Sequence, residues 1–143
     1  MFSPSREDAR QLFFETWRKY LAHEPMAGIE TMVLEIAVQH PEYHALLSKP
    51  ELYQDRDYAP EHGETNPFLH MSMHLAINEQ LSIDQPPGIK QRYQALLIQH
   101  GDPQTAQHAL MDCLAEMIWR AQRDQMPFDP TVYFACLDAK LGK

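Results

Sequence analysis

The chain has 143 residues and a formal charge of −8, from 12 basic and 20 acidic side chains, enough length to bury a real core as one domain over residues 1–143. Acid in excess with no basic cluster removes the electrostatic footprint of a nucleic-acid binder and sets the chain against an anionic membrane surface, so neither is expected as a partner. No apolar run approaches the ~20 residues that cross a bilayer, and the start Met1-Phe2-Ser3-Pro4-Ser5-Arg6 has no apolar signal core, which together imply a cytoplasmic protein.

Four times a side chain able to cap a helix stands before a proline, at Ser3-Pro4, Asn66-Pro67, Asp102-Pro103 and Asp129-Pro130. Proline loses nothing at the first helical position, where its missing N–H would go unpaired anyway, so each pair predicts a helix start. The first helix, about residues 5–21, adds a capping-box candidate in Ser5-Arg6-Glu7-Asp8. Its face of Phe13, Phe14, Trp17, Tyr20 and Leu21, opposite Arg10, Glu15 and Lys19, is expected to be core. An exposed remnant of Phe13, Trp17 and Tyr20 would instead point to a homodimer.

A second helix follows over about 27–39, burying Ile29, Met32, Val33, Ile36 and Ala37. His40 and His44 have the spacing of a chelating pair, but Pro41 interrupts any helix between them. His40 is therefore read as the cap of a short helix over 41–47, and His44 as a surface residue or a reserve ligand. From 48 to 65 the pattern lapses into a polar, proline-bearing connection that Tyr53 and Tyr58 are expected to pin down.

Residues 66–83 then form the stretch around which the rest is arranged. Wound as a helix it is apolar around most of its circumference, which marks it as the innermost rod. A polar line interrupts it at His70, His74 and Asn78. Asp84-Gln85-Pro86-Pro87-Gly88 forces a turn, and a helix carrying Ile89, Tyr93, Leu96 and Leu97 inward stops at His100-Gly101, where glycine suits a left-handed cap. The sixth helix in this count, about 103–124, buries Leu110, Met111, Leu114, Met117, Ile118 and Ala121 and carries a second polar line at His108, Asp112 and Glu116. A last helix over 130–141 buries Tyr133, Cys136 and Leu137. Cys113 and Cys136 form no CxxC pair and are expected as two buried thiols in a reducing compartment. The fold class that follows is all-α, a single-domain bundle of five to six amphipathic helices, mostly up-and-down.

Side chains four apart on a helix lie about 5–6 Å apart at Cβ, so His70 and His74 can converge on one ion. His70 and His74 sit three and seven residues past Pro67, and His108 and Asp112 five and nine past Pro103. If the two helices run parallel, the pairs stand at nearly the same height. His70, His74 and His108, with Asp112 or Glu116 as the anionic donor, would then suit zinc, iron, nickel or manganese, with Asn78 or Glu116 as an outer orienting group. An open position on such an ion could activate water, although the run His70-Met71-Ser72-Met73-His74 lacks the glutamate of a metalloprotease helix. The alternative is a non-catalytic interaction or regulatory module whose buried histidines are structural.

The run from Asn66 through Ile89, together with Met1–Arg6, His40-Pro41-Glu42-Tyr43-His44 and Glu116-Met117-Ile118-Trp119-Arg120-Ala121-Gln122-Arg123, resembles the domain of unknown function 1841 family of small proteobacterial proteins. The resemblance covers essentially the whole chain. It implies a bacterial, cytoplasmic, single-domain protein and supplies no activity, so the chemistry rests on the residues themselves.

Overall fold

The computed structural model describes residues 6–56, 58 and 66–143, and among them every regular element is helical. In chain order these are α1 (Arg6–Leu21), α2 (Ile29–Val38), a 3-10 turn (Pro41–Tyr43), α3 (His44–Leu47), α4 (Pro50–Tyr53), α5 (Pro67–Ile83), α6 (Ile89–His100), α7 (Pro103–Asp124) and α8 (Pro130–Lys140). The all-α class holds, with eight helices among the described residues where five to six were expected. α3 falls within the short helix expected over 41–47, and the element not expected is α4, four residues long. Pro50 at the first position of α4 starts a turn inside the segment whose pattern lapses. The helix start expected at Ser3-Pro4, the Ser5 cap and most of the 57–65 connection lie outside the described residues.

Two compact units divide the chain, Met1–Ala76 and Ile77–Lys143, with the boundary inside α5. In the first, α1 contributes Phe13, Phe14 and Trp17, α2 contributes Val33, Ile36 and Ala37, α3 contributes Leu47, and α5 contributes Phe68, Met71 and Leu75 to one apolar cluster. Phe13, Phe14 and Trp17 of the aromatic face of α1 are thus core, whereas Tyr20 and Leu21, expected there too, are exposed at 43% and 55% near the end of the helix. Local chemistry fixes where α5 begins. Asn66 Oδ1 accepts from the backbone N–H groups of Phe68 (3.0 Å) and Leu69 (3.1 Å), donors that otherwise have no partner in a first turn.

Arg10 departs from expectation. Periodicity sets it on the outer face of α1, yet it is 1% exposed. Its guanidinium Nη1 donates to the carbonyl oxygens of Tyr53 (3.3 Å), Gln54 (3.0 Å) and Arg56 (2.7 Å), and its plane lies 4.7 Å over the Phe68 ring. Those carbonyls close α4 and its exit, where a helix leaves acceptors short of backbone donors and favours a cation, although the Tyr53 carbonyl also accepts from the Arg56 N–H at 3.3 Å. The segment around α4 covers a face of α1 that a helical wheel assigns to water.

In the second unit, Asp102 and Asp129 cap α7 and α8 by accepting from the N–H groups of Thr105 (2.9 Å) and Thr131 (3.0 Å), as their Asp-Pro pairs predict. Gly101 ends α6 at φ 73°, a left-handed conformation that glycine adopts without a Cβ penalty. Gln80, a polar residue on the apolar α5, is buried because the Tyr133 hydroxyl donates to its Oε1 at 2.9 Å. Burial pushes the Tyr133 phenol well above its ordinary range and keeps it a donor. Arg92 grips Asp138 through Nε (3.1 Å) and Nη2 (3.2 Å) while stacking over Phe134 at 4.0 Å, joining α6 to α8.

Cys113 on α7 and Cys136 on α8 are joined in a disulfide, which corrects the expected pair of thiols. The expectation rested on compartment and missed that the short 125–129 connection packs α8 against α7, bringing the two Cα atoms to 5.5 Å. The bridge spans 23 residues, a loop whose closure removes roughly 3 kcal/mol of denatured-chain entropy. Urea denaturation of Cys113→Ser/Cys136→Ser is accordingly expected to show about 2–4 kcal/mol lower stability than the oxidised chain. A loss below about 0.5 kcal/mol would mean that the bridge constrains nothing. None of the described helices is long and apolar enough to cross a membrane.

Candidate metal centre

His70 and His74 lie on α5 one turn apart, and their ring centroids are 4.9 Å apart. The third member of the group is His40, thirty residues earlier in the chain. Its ring centroid is 5.1 Å from that of His70 and 4.8 Å from that of His74, so the three imidazoles form a nearly equilateral triangle. Their ligating nitrogens lie within 4.8 Å of one another. A tetrahedral ion with bonds of about 2.0–2.1 Å draws its donors to ~3.4 Å separations, a change within reach of small side-chain rotations. His40 and His74 are 4% and 1% exposed, and His70 is half-buried.

Pro41 is what puts His40 there. The residue before a proline is driven out of the α region, and His40 has φ −125° and ψ 67°, so α2 stops and the imidazole turns back over the helix it leaves. Nδ1 then meets the carbonyl oxygen of Ile36 at 2.7 Å. A carbonyl only accepts, so Nδ1 carries the hydrogen and the neutral ring has its lone pair at Nε2. A carbonyl of this kind is the usual outer partner of a metal-bound histidine, fixing both tautomer and ring plane. The cap expected of His40 is not made, since its side chain has no capping bond to the turn that follows.

Tyr43 forms one wall of the group, stacked on His40 at 5.6 Å with 7° between the planes and edge-on to His70 at 6.2 Å. Burial, with the nearby Glu42 carboxylate, holds its phenol above the ordinary tyrosine range. His44 is differently employed. Its Nε2 meets the Ala37 carbonyl at 2.7 Å and its ring stacks on Trp17 at 4.4 Å, so it seals the end of α2 against the core.

The remaining sequence candidates belong to the second unit. His108 is exposed on α7, and its neighbour Gln107 donates to Asn78 Oδ1 at 2.8 Å. Asp112 pairs with Lys140 at 3.4 Å, and Glu116 with Arg120 at 2.8 Å. Neither carboxylate joins the histidine group. Of the five expected ligands the structure therefore brings His70 and His74 together and gives Asp112 and Glu116 cationic partners of their own, while His40 enters from a position read as a cap. The available signal was the pair Ile36 and His40, four apart with Pro41 behind them, which predicts a ring folded back on its own helix end.

Residues 5–139 match the family described as Domain of unknown function (DUF1841). No curated protein matches the chain, and no solved structure does.

Proposed function

We propose, for a chain that belongs to the DUF1841 family and takes no activity from that description, that it holds one transition-metal ion on His40, His70 and His74. The observation that carries this reading is the convergence of three imidazoles from two separate elements, one of them already fixed as an Nε2 donor by the Ile36 carbonyl. Nitrogen-only donors suit zinc first, with nickel, copper or iron next, and disfavour manganese, which prefers oxygen. We leave Asp112 and Glu116 outside the donor set because each already faces a cation. His108 is proposed as a fourth, exchangeable donor on its sequence spacing alone, five residues past Pro103 where His70 and His74 stand three and seven past Pro67.

Calorimetric titration of the metal-free chain with zinc tests the reading. One ion per chain is the expected stoichiometry, and His108→Ala should weaken binding by about tenfold while leaving the stoichiometry intact. Absence of stoichiometric zinc, nickel and copper binding would defeat the proposal. Bound metal also stabilises by mass action: at a hundredfold excess over the dissociation constant the gain is about 2.7 kcal/mol, or a melting point raised by roughly 5–10 °C.

A further inference from the structure

We infer that the disulfide of the second unit is a reversible redox couple, exchanging with small thiols of the glutathione class through Cys136 and keeping Cys113 as the resolving sulfur. An attacking thiolate has to reach one sulfur in line with the bond it breaks, so access decides which sulfur is attacked. Cys113 on α7 is 0% exposed, whereas Cys136 on α8 is only half-buried. Cys136 is therefore where an outside thiol enters. The chain has two cysteines, so no third thiol of its own diverts the exchange.

α8 does not hang on the bridge. Tyr133 and Leu137, on either side of Cys136 along the helix, are fully buried, and the Tyr133 hydroxyl is tied to Gln80. Asp138 is gripped by Arg92, and the Lys140 carbonyl accepts from Gln99 Nε2 at 2.9 Å. Apolar burial and these bonds hold α8 against its neighbours when the S–S bond opens. The two cysteines then stay on facing backbone positions, 5.5 Å apart at Cα in the closed state. Each sulfur meets the other at a high effective concentration, which favours reclosure.

In the opening direction a small thiolate bonds to Cys136 Sγ as the S–S bond breaks, and the electron pair leaves on Cys113 Sγ, which takes a proton. A second thiolate bonds to the small-thiol sulfur of that mixed disulfide, Cys136 leaves and is protonated, and the small disulfide departs. The bridge is reduced and the small thiols are oxidised. Closure runs in reverse: the Cys136 thiolate attacks a small disulfide, and Cys113 displaces the small thiol.

The test incubates the full native chain, without denaturant, in excess glutathione. The bridge is expected to open with helical circular dichroism retained, and to close again in excess glutathione disulfide. Brief treatment of the reduced, still helical chain with iodoacetamide, read by peptide mass mapping, should label Cys136 at least about tenfold faster than Cys113. Equal labelling of the two would overturn the assignment of Cys136 as the entry sulfur. A bridge that opens only in urea, fails to reclose, or takes the helices with it when reduced would overturn the couple.

Discussion

Replacing His74 by alanine is expected to weaken zinc binding by more than about 100-fold, because it removes a buried donor rather than an outer partner. His74 is 1% exposed and lies between Met71 and Leu75, which are both buried, on the core-facing part of α5. The same change leaves a cavity, so the metal-free variant should also lose about 2–4 kcal/mol of stability. Affinity and stability must be separated, and His70 allows it. Being half-buried, His70→Ala should cost about 1 kcal/mol or less in the metal-free chain while abolishing zinc binding to the same extent. Calorimetry and urea denaturation on both variants give the two quantities. A His70→Ala chain that binds zinc as tightly as the parent would contradict the ligand assignment.

The second large effect is structural. Arg10→Ala is expected to destabilise the chain by about 3–5 kcal/mol, since it takes the charged donor from the carbonyls of Tyr53, Gln54 and Arg56 and removes the cation over Phe68. Arg10→Lys should recover only part, with a loss of about 1.5–3 kcal/mol. An ammonium has the charge but neither the planar fork nor the stacking face. Urea denaturation midpoints, with the slope checked for constancy, decide the matter. A loss under about 1 kcal/mol for the alanine variant would place the guanidinium outside the forces that hold α4 to α1.

These two results bear on what the sequence reveals and what it hides. Asn66, Asp102 and Asp129 were legible as caps because a cap bond joins residues two or three apart, and nothing distant has to be known to place it. The pair His70 and His74 was legible for the same reason: one helix carries both. Arg10 was not, because its burial is produced by carbonyls more than forty residues away, and helical periodicity is blind to what covers a face. The cysteines failed on similar ground, since proximity of α7 and α8 decides their state and composition does not.

His40 is the instructive case. Pro41 was reason to discard a His40–His44 chelate, and that inference holds, for His44 turns to Ala37 and Trp17. Yet the same proline ends α2 and folds the His40 ring back on Ile36, where it faces two histidines from α5. A local rule correctly excluded one partner and could not name the others. Those lie thirty and thirty-four residues along the chain.

X-ray absorption at the zinc edge of the stoichiometrically loaded chain measures the donor set itself. The expected spectrum has at least three imidazole nitrogens at about 2.0–2.1 Å, with outer-ring scattering and no sulfur at ~2.3 Å. The imidazole signal should be lost in His40→Ala as fully as in His74→Ala. A shell of oxygen donors in the parent chain, unchanged by either substitution, would contradict a centre built on His40, His70 and His74.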